Sequence, residues 1–595
     1  MPTLTRRLLN ALAAVLLAHA GMAAPAFAKA DMSKELRVAF DGADDGFDMV
    51  RTNNSLYSTW VGQAIYESLL TYDYLARPVK LVPSAAEAMP EVSDDGKTYL
   101  FHLRKGIYFS DDPAFKGKKR ELTAADVVYS IKRIVDPVNR SPSSSSYEGK
   151  IAGLDDLMNA ARKGGKFDYD KPIPGLEAVD SHTLRIRLVT PDPNMPFVLA
   201  HSSASIVARE VIEQYGQDSG RHPVGTGPYL LKEYVPRSKI VLEANPNYRG
   251  ATWNFQPGDD KWDEQLVKDM KGKSLPLIGR VTVSIIEEEQ SRWLAFSSGQ
   301  LDFDKLADNV SSRVLDRDKL KPEFLEQKLS LYRFVVPDIV YTYFNFKDPV
   351  VGGYTNDKIA LRRAIAMSYN VNDEIFRVRQ GQAIKAQSQI VPGTVGYDPN
   401  YRSSIAYDPE LANKLLDRFG YKKGDDGWRT APDGKPLVIK MYSQPSAKDA
   451  AIMEVWKRGL DRIGLRSDFP VSNFADNLKA ASRCELPIWM LGGTAGIPDA
   501  YDGLESFYGP NSGQGNMGCY QSEKFDAWYR EGRTMGDKPE RQALINNMNR
   551  QLEADTAVFP HVHRIRNWIF QPWIKGFKQH PIQHNNWMYL DIDKH

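Results

Sequence analysis

The chain has 595 residues, of which 42% are hydrophobic and 26% charged, a globular mixture that excludes wholesale disorder and any collagen-like repeat. At about 150 residues per domain it divides into roughly three to four compact units. Lys and Arg number 77 against 75 Asp and Glu, so no global field exists to hold a polyanion, and nucleic acid is excluded as the expected partner.

Residues 1–28 place Arg6 and Arg7 before an apolar stretch starting at Leu8 and end in Ala26-Phe27-Ala28. That order reads as a cleaved secretory leader, with the cut after Ala28 and a general or twin-arginine export route both open. Asn10, His19 and Pro25 interrupt it too often for a membrane anchor. Losing Arg6 and Arg7 leaves the mature chain formally neutral, and the expected location is the periplasm. An oxidising compartment favours a disulfide between the chain's two cysteines, Cys484 and Cys519, over two buried thiols. It would close a loop of roughly 34 residues, worth about 3 to 4 kcal/mol in chain entropy.

In chain order, Glu35–Phe40 alternates as a strand, and Ser58–Tyr72 carries Val61, Ile65, Leu69 and Leu70 at helical spacing. Thr98–Leu103 is a second strand. A helix then starts at Thr123, with Asp126 completing a capping box and Pro137 stopping it. Strands follow at Thr183–Leu188, Lys239–Leu242 and Val281–Ile286, then a helix at Ser291–Ser297. Beyond it lie an aromatic-rich strand, Ile339–Phe346, and helices at Ile359–Ser368 and Asp408–Phe419. A hairpin around Trp428 leads into strand Leu437–Tyr442. Strands and helices interleave throughout, which makes the class α/β or mixed α+β.

Chemistry-bearing motifs are few. There is no G-x-S-x-G elbow, H-E-x-x-H, Walker A loop or C-x-x-C. Gly225-Thr226-Gly227-Pro228 reads as a turn, because Pro228 breaks the dinucleotide pattern. His561 and His563 share one side of a strand, and the choice there is between a metal pair and a solvent-facing edge, with no metal the expectation. Glu287-Glu288-Glu289 reads as a solvated face rather than a cation site. No cofactor is called for, and the chain is not expected to be an enzyme.

Several segments resemble the family 5 extracytoplasmic solute-binding proteins of ABC importers. They are the run from Asp95 to Phe109, Leu122–Ser130, Pro223–Tyr229, Asn245–Tyr248, Ser298–Asp302 and Leu361–Ala366, all in family order. The resemblance implies an α/β, two-lobed periplasmic binding fold of type II, cluster C. Lobe one would comprise residues 29–80, 195–335 and 557–595, with an extra small domain at 81–194, and lobe two residues 336–556. Two strand crossings would form the hinge. It also implies a peptide or peptide-like solute as ligand, ABC permease subunits as partners and a monomeric receptor. A non-peptide solute such as an opine or sugar conjugate is the alternative, and a chaperone or signalling receptor using the same cleft is another.

Peptide-binding members carry a G-W-x-A-D-Y-like run whose acidic residue pairs with the peptide amino terminus. The corresponding stretch here is Leu491–Ala500, with Gly493 where the Trp would stand and Gly496 where the anchoring Asp would stand. Either Asp499 or Asp502 replaces that anchor, or the ligand lacks a free α-amino group, since an unpaired buried ammonium costs several kcal/mol. Both Asp residues also read as turn or helix caps. Thr494 belongs to the same run, and the resemblance adds Leu56, Tyr57 and Tyr343 as candidate ligand contacts.

Overall fold

The computed structural model describes residues 30–52, 55–513 and 515–593, so the leader, residues 1–28, lies outside them. The first sheet contains Asp31–Phe40, Ile278–Ile285, Lys239–Ala244 and Tyr229–Val235 in spatial order. Its first pair is parallel and the others are antiparallel. The alternation read from the sequence is the reason: Leu36, Val38 and Phe40 face the core with Val281 and Val283.

The helix expected over Ser58–Tyr72 runs instead from Leu56 to Ile65, capped by Ser55. Tyr66 turns extended, and Leu70–Tyr72 pairs as a strand with Leu81–Pro83. What ends the helix is the Gly225-Thr226-Gly227 run. Gly227 N–H donates to the Ile65 carbonyl at 2.8 Å. A Cβ at Gly225 would lie only 2.0 Å from that oxygen, so the glycines permit a backbone approach no other residue allows.

In the small domain, Glu91–Val92, Thr98–His102, Thr183–Arg187 and Leu176–Asp180 form a four-stranded antiparallel sheet. The helix Ala124–Val135 packs Ile131 and Ile134 into the same core as Phe101, Leu184 and Ile186. Its capping box is present in both directions between Thr123 and Asp126. The helix at Glu289–Ser297 is capped by Glu288, which gives that acidic run a structural role.

Lobe two is built on Asp338–Phe344 and Ile488–Thr494, paired antiparallel, with the helices Asn356–Ser368 and Ala447–Arg462 packed nearby around buried Trp456. Cys484 and Cys519 are bridged. The long strand Val558–Phe570 ties the lobes together. Its first residues pair with Asp338–Phe344, and its last with Ser330–Val335 and Phe303–Lys305. Phe559 and Val562 therefore sit in the lobe-two core, whereas Trp568 and Phe570 sit in the lobe-one core. The two crossings run side by side at Val335–Asp338 and 562–565, where Val336 N–H donates to the Arg564 carbonyl at 2.9 Å. Asp338, 1% exposed, ties them further by accepting from the Arg564 backbone N–H at 3.1 Å and from its guanidinium.

His561 and His563 lie on the crossing strand but at no solvent edge, being 0% and 2% exposed. The His561 ring is held between Glu374 (3.0 Å) and Thr342 Oγ1 (2.9 Å), and the His563 ring faces the Asp338 carbonyl at 2.7 Å. Among the described residues no group of three or more His, Cys, Asp or Glu is arranged to hold a metal ion. No helix among them is long and apolar enough to cross a membrane.

Candidate functional site

Between the lobes lies a cavity of about 550 Å³. Asp41, Leu56, Arg292 and Lys305 wall it from lobe one, Arg379, Lys448 and Thr494 from lobe two, and Asp338, Arg564 and Arg566 from the crossings. The 579–584 segment, with His580 and His584, contributes the remaining wall. A change in the angle between the lobes therefore changes the shape of this space directly.

Leu56 is the first residue of its helix and borders both this cavity and an aromatic niche built by Phe40, Tyr57, Trp60, Trp568 and Trp587. The Tyr57 hydroxyl donates to Asp41, which also pairs with Lys305 at 2.6 Å. Lys305 and Arg292 keep the Asp41 carboxyl below its usual range despite the opposing effect of burial. Asp304 goes the other way: burial raises it to about 6 even though Arg292 lies 3.2 Å away.

A second, smaller cavity of about 110 Å³ opens within lobe two, bordered by Ile339, Tyr341, Thr494, Asp499, Asp502 and Phe507. Thr494 borders both spaces. Tyr343 does not reach either wall: it is 2% exposed, packed with Ala481, Leu486, Trp489 and Leu491. Tyr341, two residues earlier on the same strand, borders the smaller cavity instead.

The structure separates the two acidic candidates. Asp499 is 4% exposed, caps the helix Ala500–Leu504 through Tyr501 N–H at 2.9 Å, and pairs with Arg541 at 2.7 Å. Its charge is compensated inside lobe two. Among the described residues Asp502 forms no ion pair. It accepts from Gly496 N–H at 3.0 Å, and burial, with Glu505 and Asp499 adding to it, raises its carboxyl to about 6. Asp502 and Gly496 also border a space of about 390 Å³ whose far side, with Ser143, Lys150 and Asn194, belongs to the small domain. This carboxylate thus stands between lobe two and the small domain, without a counter-ion among the described residues.

A further cavity of about 200 Å³ in lobe one takes no lining residue from lobe two. Its buried Glu67 is already satisfied by Arg249 at 2.6 Å, Thr226 at 2.9 Å and Ser84 at 3.0 Å. Sequence reasoning missed the cationic wall of the inter-lobe cavity. Its one legible trace is the i, i+2 spacing of Arg564 and Arg566, which puts both on one side of a strand.

A family model described as bacterial extracellular solute-binding proteins, family 5 (middle), matches residues 80–515. Among curated proteins, heme-binding protein A of Haemophilus influenzae is 26% identical over 541 residues, covering 89% of this chain and 87% of that protein. The periplasmic oligopeptide-binding protein OppA of Escherichia coli K12 is 27% identical over 552 residues, covering 90% and 88%. Among solved structures, the periplasmic binding protein DppA from Helicobacter pylori in complex with the peptide STSA superposes with a TM-score of 0.66. It is 22% identical, and the match covers 94% of this chain and 98% of that one, a likeness of fold.

Proposed function

This chain belongs to the bacterial extracellular solute-binding proteins of family 5, and from that premise we propose that it captures a peptide or peptide-like solute between its lobes and delivers it to an ABC permease. The observation that carries the reading is the inter-lobe cavity of about 550 Å³, whose walls come from both lobes and from both crossing strands. A solute seated there is largely desolvated, and lobe closure around it creates the shape a permease can recognise. A periplasmic setting, export by the leader and a monomeric state belong to this reading. Binding without bond cleavage belongs to it as well.

Asp502 is the group that would meet a ligand ammonium. The family anchor position is occupied by Gly496, Asp499 is already paired, and Asp502 is the nearby carboxylate that gains most from an incoming cation. Leu56 and Thr494 would contribute apolar and hydroxyl contacts at the cavity wall, with Tyr57 in the adjoining niche.

Native mass spectrometry of the gently purified chain, followed by denaturing release and identification of the co-purifying molecules, tests the proposal. A set of short peptides, recovered intact after incubation with the protein, is the expected result. A single non-peptide mass would replace the peptide reading with the opine or sugar-conjugate alternative. Binding to unfolded polypeptide with no small solute would replace it with a chaperone role.

A further inference from the structure

The lobes also touch off the crossing strands. The Val79 N–H of lobe one donates to the Gly393 carbonyl of lobe two at 3.3 Å. Gly393 has a φ of +84°, and a Cβ there would lie 3.5 Å from Pro581, in the segment of lobe one that walls the inter-lobe cavity. That left-handed backbone suits glycine. Ile497 makes a second contact. It stands in the same lobe-two run as Asp499 and Asp502, but it packs, half-buried, against the core cluster that holds Val79 together with Phe101 and Ile134 of the small domain.

These two contacts form one unit. Val395 N–H donates to the Pro498 carbonyl and Ala500 N–H to the Val395 carbonyl, each at 2.9 Å. A Cβ at Gly396 would come within 2.8 Å of the Ala500 side chain, so the two segments are closely packed. Behind them lies the smaller cavity of lobe two, bordered by Val391, Thr394, Asp499 and Asp502. Asp502 holds the Gly496 N–H, next to Ile497, at 3.0 Å. The residues that border this cavity are therefore chain neighbours of those that reach lobe one. A contact made only when the lobes are together lowers the free energy of the closed state alone, and so slows opening without touching a solute.

We propose that Gly393 and Ile497 form a clasp that holds the lobes together around a captured solute, which makes them positioning residues for its retention. This rests on the lobes closing on a solute and assigns what sets the rate of its release. Because the clasp needs no solute contact, it also draws the empty lobes together.

The experiment uses the full chain, unfolded in urea and refolded to strip bound solute, as wild type, Ile497→Ala and Ile497→Leu. The Val79 amide reads the clasp directly, since its hydrogen bond crosses between the lobes and is lost whenever they part. Its hydrogen exchange is followed by mass spectrometry on overlapping fragments of the empty protein, and release of tri-alanine by stopped-flow tryptophan fluorescence. In Ile497→Ala the Val79 amide is expected to exchange about tenfold faster than in wild type, the scale of losing a half-buried isoleucine side chain. Ile497→Leu should restore most of the protection. Tri-alanine should leave Ile497→Ala about tenfold faster, with its association rate changed by less than about twofold. Equal Val79 exchange in wild type and Ile497→Ala overturns the clasp and leaves solute capture standing. Faster exchange with an unchanged release rate overturns its role in retention. Faster exchange in a protein that binds no tri-alanine supports the clasp and overturns the peptide reading.

Discussion

Replacing Asp502 with Asn separates the cost of an uncompensated charge from its use. Burial raises the carboxyl from an ordinary 3.8 to about 6, so keeping it ionised in the folded protein costs about 3 kcal/mol at pH 7.5. Asn retains an acceptor for Gly496 N–H, and the weaker neutral hydrogen bond returns about 1 kcal/mol of that gain. A net stabilisation of about 2 kcal/mol remains, which is about 5 °C in the melting of lobe two as a unit. The pH dependence has a fixed sign. A raised carboxyl favours the fold below its unfolded value, and that advantage is lost as pH rises through about 6, so the variant's gain is absent near pH 3.5 and complete above pH 7. Ligand binding should move oppositely. Tri-alanine affinity of the wild type rises with pH through about 6, and Asp502→Asn lowers it by at least about tenfold at pH 7.5. Differential scanning calorimetry and titration calorimetry on the same preparations read both effects. A variant no more stable at pH 7.5 than at pH 3.5, relative to wild type, would refute the electrostatic argument. Unchanged affinity would remove Asp502 from the site.

Three structural predictions follow from charges and links already committed within the fold. Arg541→Met leaves Asp499 buried and unpaired, and should cost about 3 to 5 kcal/mol in urea unfolding, much of it recovered in the double variant Asp499→Asn/Arg541→Met. Glu374, 0% exposed, accepts from Tyr369, Arg379 and His561, and despite burial His561 and Arg379 hold its carboxyl down to about 2. Glu374→Gln should therefore destabilise by about 3 kcal/mol at pH 7, and the difference should shrink as acid titration passes from 4.5 toward 2. Mutating Cys484 and Cys519 to Ala together removes a link between residues 35 apart and should lower stability by about 4 kcal/mol. Reduction of the wild type should lower its unfolding midpoint similarly, whereas reduction of the double variant should change nothing.

Those parts of the fold dictated by neighbours in sequence were legible. The capping box at Thr123 and Asp126 needs only residues three apart, and the alternation of Leu36, Val38 and Phe40 only a sheet to face. The spacing alone extends the first helix too far because Leu69 and Leu70 continue it, while the backbone that stops it at Ile65 arrives from Gly225 and Gly227. No local pattern carries that contact. The position of the second crossing was hidden similarly: the strand Val558–Phe570 is continuous, and its change of lobe is set by successive pairing partners more than 200 residues away.

For the site, sequence could rank residues by type but not by whether their charge was already spent. Asp499 and Asp502 stand three residues apart in one run and read alike, yet one is neutralised by Arg541, 42 residues away, and the other is left with a backbone N–H. Arg564 and Arg566 read alike as well, and the difference is again a distant partner, since Asp338 pairs with the first. A folded protein stabilises most of its buried ions through such partners, and those it leaves unpaired lower its own stability. Asp502, which borders the smaller cavity of lobe two, is therefore complementary to a solute carrying a cation. A ligand ammonium there would offset that internal cost, and a solute held by groups from more than one part of the molecule favours the closed arrangement.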